Sequence, residues 1–239
     1  MWRGQFDGNG KTISNLYINA TSDYQGLFGR GYSDDENIKG VIKNLTLANV
    51  NVKNTAGCTG ALIGGADNFE ITQVVISSGT VEGEISAVGG ICGQADTESK
   101  FLSCENRAQI KSQTDNSNNI GGICGNVKSS HIEKCANYGN INSQGVYVGG
   151  ICGSSFGSSS ITTSANYGDI VGNNSVGGII GYASNASISN SLTTGDVKSI
   201  TVAPGFVIGC CYNAITLSNT VAYNSGATLT DGETTHTLA

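Results

Sequence analysis

The chain repeats itself, and the repeat limits what it can fold into more than any other feature does. Seven short segments align: Tyr24 to Gly29 (YQGLFG), Thr59 to Gly64 (TGALIG), Val88 to Gly93 (VGGICG), Ile120 to Gly125 (IGGICG), Val148 to Gly153 (VGGICG), Val176 to Gly181 (VGGIIG) and Pro204 to Gly209 (PGFVIG). Their closing glycines are 35, 29, 32, 28, 28 and 28 residues apart. A second segment follows each anchor, closely in all units but the first. The clearest copies are 132–141 (IEKCANYGNI), 161–170 (ITTSANYGDI), 188–197 (ISNSLTTGDV) and 101–110 (FLSCENRAQI), with 71–81 a looser relative. Each reads as a short β segment, a Gly or Asn turn, and another short β segment. A unit this small cannot bury an apolar face alone, whereas stacked copies share one continuous core.

The expectation is an all-β fold, a right-handed parallel β-solenoid of about seven coils with a repeat of roughly 28 residues. Coils would stack about 4.8 Å apart. A β-propeller is the rival architecture, but its blades run to around 40 residues. Composition agrees with strands and turns: 35 Gly, one Pro and few helix formers. The longer intervals place insertions at Gly31–Asn37, an acidic stretch, and at Asp115–Asn119. Both are expected to be outward loops. We expect one solenoid domain over residues 1–239. Its opening, Met1-Trp2-Arg3-Gly4-Gln5-Phe6, lacks the charged and apolar regions of a signal peptide and starts as though inside a folded unit. The chain therefore reads as a piece of a larger protein.

Net charge is −6 with no basic stripe, so the Lys/Arg footprint of nucleic-acid binding is missing. No apolar run approaches the roughly 20 residues of a transmembrane helix. An acidic surface rich in Asn, Ser and Thr fits an extracellular setting.

The cysteines follow the repeat. Cys92, Cys124 and Cys152 share a position filled elsewhere by Phe28, Ile63, Ile180 and Ile208, which marks a buried apolar site. Cys104 and Cys135 share another, filled later by Ser164 and Ser191, which asks for a small side chain. Unpaired buried ladders are the expectation, since equivalent side chains of parallel coils point the same way and disfavour disulfide geometry. Cys58, Cys210 and Cys211 break the pattern and are the candidates for pairing.

No catalytic set emerges. Asp169 and Asp196 fill one repeat position, but Asn140 precedes them there, so the column reads as a polar turn ladder rather than a glycosidase pair. His131 and His236 are the only histidines, and no Ser-His-Asp or Cys-His set is evident. Asp7-Gly8-Asn9-Gly10-Lys11 has the wrong residues for a calcium loop. With no C-x-x-C either, no metal and no cofactor is expected. Thr-x-Thr at Thr228–Thr230 and Thr235–Thr237 is out of register with the repeat, which argues against an ice-binding face. The candidate ligand-binding residues are Tyr138 and Tyr167 with Asn137 and Asn166, in register across two units.

The G-G-[IL]-x-G anchors resemble the GLUG motif, a short repeat of bacterial secreted and surface proteins. Phe6 to Leu16 (FDGNGKTISNL) followed by Gly26-Leu27-Phe28-Gly29 is similar to the start of such arrays. The resemblance spans about residues 4–224; Cys in the anchor, and Phe206-Val207 in place of Gly-Ile, depart from it mildly. It implies a large exported or cell-surface protein with an adhesin-like role, and it supplies no catalytic residue. The function expected is therefore non-catalytic: a surface-displayed repeat domain acting in adhesion, in binding a host or microbial glycan or surface protein, or as a spacer between flanking domains. The alternative is a carbohydrate-active β-helix enzyme, a polysaccharide lyase or hydrolase.

Overall fold

The computed structural model describes residues 3–33, 38–115, 117–222, 228–231 and 234–237. The described residues form strands and turns with no helix. They wind into a parallel β-solenoid of about six turns, close to the number expected from the anchors. One coil shows the plan. Ser86–Gly89 starts an anchor face, Cys92–Asp96, Lys100–Leu102 and Glu105–Asn106 form a long face, and Gln109–Ser112 forms a back face before Ser117–Gly121 opens the next coil. The three faces become a 5-stranded, a 17-stranded and a 7-stranded sheet. Strand pairs between coils are parallel throughout, which excludes the antiparallel blades of a propeller.

Register follows the repeat. Val88 pairs with Ile120, Ile120 with Val148 and Val148 with Val176. Ile63, Cys92, Cys124, Cys152 and Ile180 stack in one column. Alternation of side chains sends every second residue inward, so these columns fuse into a single core that also holds Phe101, Ile110, Ile123 and Ile151, all without solvent contact.

The second cysteine column has a reason beyond size. The Cys104 backbone N–H donates to Cys135 Sγ at 3.4 Å, Cys135 N–H to Ser164 Oγ at 3.1 Å, and Ser164 N–H to Ser191 Oγ at 3.3 Å. The position requires a small side chain that ends in an acceptor. Ser99, Ser130 and Ser159 build a like ladder where the long face bends. Desolvation holds the Cys92, Cys135 and Cys152 thiols well above their ordinary pKa.

Two expectations need correction. All eight cysteines are free. Cys58 is buried with Gln94 Oε1 at 3.2 Å and Ser86 Oγ at 3.6 Å, and Cys210 and Cys211 are neighbours on one strand that point to opposite faces. The insertion at 115–119 is not simply a loop: Ser117–Gly121 is a strand whose register slips between the Ser86–Ser117 and Ala87–Asn119 pairs. The extra residue makes a bulge. Of the acidic insertion, residues 34–37 lie outside the described residues, as do Asn116, Met1 and Trp2; the side chains of both Thr-x-Thr segments are likewise not described.

Candidate functional site

The four residues singled out in the sequence divide between two environments. Ala136–Asn137 pairs with Ala165–Asn166, so both asparagines and both tyrosines stack coil on coil. Asn137 and Asn166 turn inward and have no solvent exposure. Each amide is fully used. Asn106 Nδ2 donates to Ala108 O at 3.0 Å and to Asn137 Oδ1 at 2.8 Å; Asn137 Nδ2 donates to Gly139 O and Asn166 Oδ1; Asn166 Nδ2 donates to Gly168 O and Thr193 Oγ1. As ligand contacts, Asn137 and Asn166 are corrected: a group sealed in the core and committed to backbone carbonyls cannot meet a surface ligand. The ladder holds the turn instead.

The tyrosines face out. Tyr138 and Tyr167 are 40% and 43% exposed, with ring centroids 4.8 Å apart and planes within 13° of parallel. The Arg107 guanidinium lies over Tyr138, 4.2 Å from the ring centroid. Sequence reading missed Arg107, although it stands one position after Asn106 as the tyrosines stand one after their asparagines. The column is a cation, two rings and then Thr194, one residue per coil, and its order comes from the solenoid spacing rather than from burial. Such a surface offers flat π faces and one charge.

The remaining chemistry-bearing groups serve the scaffold. Asn140 Oδ1 accepts from the Asp169 N–H and Asp169 Oδ1 from the Asp196 N–H, each at 3.0 Å, so this column caps turns as its residue pattern implied. Asp7 accepts from the Asn9 N–H at 2.8 Å and from Asn44 Nδ2 at 3.0 Å; these bonds hold its carboxyl below the ordinary pKa. The structure does bring together a trio that the sequence concealed. His131 Nδ1 is 2.8 Å from Ser160 Oγ, and His131 Nε2 is 3.5 Å from a carboxylate oxygen of Glu98. The Glu98 side chain is 67% exposed. A solvated carboxylate does not lock the imidazole in the dry setting that nucleophilic catalysis uses.

A groove on the long face was also invisible in the sequence. Asp67, Gln94, Asp96, Asn126 and Lys128 line it around a volume of about 610 Å³. Arg30 fixes Asp67 at 2.7 Å, and Gln94 Nε2 donates to Asp96 at 2.6 Å. Burial raises the Asp96 carboxyl above its ordinary pKa; the Gln94 hydrogen bond opposes this and the Asp67 charge adds to it.

Comparison with known proteins agrees with this architecture. Residues 172–198 match the family model described as the GLUG motif. Halomucin of Haloquadratum walsbyi (strain DSM 16790 / HBSQ001) is 38% identical over 97 residues, 40% of this chain, and the chain spans 1% of halomucin's length. A crystal structure of a candidate immunoglobulin A1 protease from Bacteroides ovatus superposes with a TM-score of 0.71 at 22% identity, covering 92% of this chain and 70% of that one. At that identity the likeness is one of fold. The chain carries a GLUG motif at residues 172–198 and is built as a parallel β-solenoid.

Proposed function

We propose that this solenoid is a non-catalytic, surface-displayed repeat domain of an exported protein that contacts a glycan or protein ligand through an outward ladder and spaces the domains flanking it. The observation that carries the reading is the Arg107–Tyr138–Tyr167 column. Two large rings, 40% and 43% exposed, are held in register on a scaffold whose core buries most of the Ile, Leu and Val side chains of its central coils. Contacts repeated along an axis add up through effective concentration even when each is weak. The GLUG match and the likeness to halomucin support an extracellular or surface setting. Against the enzyme alternative stand the commitment of Asp169 to a turn N–H and the open, solvated placement of Glu98.

The test is binding of the purified chain to an array of host and microbial glycans and surface proteins. Saturable binding that disappears in Tyr138→Ala and Tyr167→Ala supports the reading. Binding indifferent to both substitutions removes the tyrosine column from it, and cleavage of any array compound overturns the non-catalytic assignment.

A further inference from the structure

On the first limb of the long face, the inward column Ala66, Ala95, Val127, Ser155 and Ala183 separates two outward columns. The first runs Gly65, Gln94, Asn126, Ser154, Tyr182 and the second Asp67, Asp96, Lys128, Phe156, Ser184. The second column turns aromatic at Phe156 and the first one coil later at Tyr182. Up to Asn126 and Lys128 they are polar and line the groove of about 610 Å³. Beyond, Phe156 and Tyr182 form an aromatic wall beside Ser154 and Ser184: Tyr182 packs on Tyr147 with centroids 4.9 Å apart and on Phe156 at 5.4 Å, and all three rings are half-buried. Ser154 Oγ lies 3.2 Å from Asn126 Oδ1 and joins the polar floor to the aromatic wall.

Three properties of the site restrict its ligand. The charges balance: Arg30 neutralises Asp67, and Lys128 attracts Asp96 within the groove, which draws neither a polyanion nor a polycation. The floor supplies carboxylate acceptors, amides that both donate and accept, and one ammonium donor, which together suit hydroxyl groups better than a single strong charge. Carboxylates recur over two coils at Asp67 and Asp96 and amides over two at Gln94 and Asn126, about 4.8 Å apart along the axis, and the columns lead to fixed rings whose faces are apolar. A chain of neutral pyranose units has this alternation of hydroxyl edges and C–H faces.

We propose that the groove binds a neutral polysaccharide lying along the solenoid axis, with Gln94 and Asn126 bonding its hydroxyls and the Phe156–Tyr182 wall packing against a sugar face. The site is separate from the Arg107–Tyr138–Tyr167 column and stands without it. The experiment is isothermal titration of the 239-residue chain with linear neutral hexasaccharides of glucose, mannose and xylose, with oligogalacturonate as the anionic control. The expected result is saturable binding to a neutral chain that weakens by about tenfold in Asn126→Ala and again in Tyr182→Ala. Binding should survive in Tyr138→Ala, which distinguishes failure of this site from failure of the tyrosine column. Gln94→Ala provides a second reading of the floor, and circular dichroism melting confirms that each variant folds. Absence of binding to every neutral chain, preference for oligogalacturonate, or affinity unchanged by the Asn126, Gln94 and Tyr182 substitutions overturns the proposal.

Discussion

Asn137 and Tyr138 are adjacent in sequence and each stacks on its own counterpart one coil away, Asn166 and Tyr167, yet they do opposite work. The asparagine lies inside the coil with no exposure and both ends of its amide engaged, while the tyrosine stands 40% exposed with only its faces in contact. Period-2 alternation turns one register into two ladders. The inward ladder must be satisfied completely, because an unpaired polar group costs more in the core than a paired one gains. The outward ladder is released from that demand and can carry a binding surface. Repetition in this fold therefore fixes geometry on both sides but stability mainly on one.

The strongest way to break that comparison is Asn137→Ala. It removes the donors to Gly139 O and Asn166 Oδ1 and the acceptor of Asn106 Nδ2, in a site that no water reaches. Two or three buried polar groups are left without partners, so the expected loss is about 3 kcal/mol or more. Urea unfolding followed by circular dichroism measures it. A loss under about 1 kcal/mol would mean the amide column is decoration, and the division between inner and outer ladders would fail.

That buried role was only half legible in the sequence. The anchors announced the register, and the exchange of Cys with Ile at 92, 124 and 152 announced a buried column; both follow from hydrophobic pattern alone. Asn137 and Tyr138 offered no such contrast, since each recurs once in the next unit and asparagine is ordinarily a surface residue. A signal was nonetheless present. The second anchor glycine lies across the coil from the asparagine: a Cβ on Gly122 would stand 2.3 Å from Asn137 Cγ, and one on Gly150 2.4 Å from Asn166 Cγ. Where the asparagine position holds Thr193 the glycine remains as Gly178, but where it holds Ile76 or Ala222 the glycine position holds Ala61 or Phe206. Residues about 15 apart thus change together within one chain. The groove, the Glu98–His131–Ser160 trio and Arg107 were harder to foresee. They depend on which single outward residue of each coil meets the next, and columns of varied side chains carry no periodic mark.

A second test concerns pH and reaches only the inward columns. Burial raises the Cys92, Cys135 and Cys152 thiols above the ordinary 9.0, so the folded state retains protons that the unfolded chain releases. The native state then binds more protons, and stability falls as pH rises past about 9, by up to about 1.4 kcal/mol per pH unit for each thiol. Below that window the thiols contribute no slope. Thermal melts between pH 7 and 10.5 should show a flat region followed by a decline, and Cys92→Ala should make the decline shallower at the cost of a lower starting point. An equally steep decline in that variant would assign the slope to exposed groups instead.

The smallest effect on stability is expected from the outer ladder, and its smallness is the informative part. Tyr138→Ala removes a stacked ring pair and the Arg107 contact, both at the surface, where each is worth about 0.5–1 kcal/mol. Tyr167→Ala removes only the stack and should cost less. A cycle combining Tyr138→Ala with Arg107→Ala separates the cation–ring contribution, since the two side chains touch and their effects should not add. If Tyr138→Ala cost as much as Asn137→Ala, the rings would be part of the scaffold and their exposure incidental. A melting point close to that of the parent chain, together with lost array binding, would show instead that the solenoid keeps these rings in solvent for contact, with its stability secured one residue earlier by Asn137.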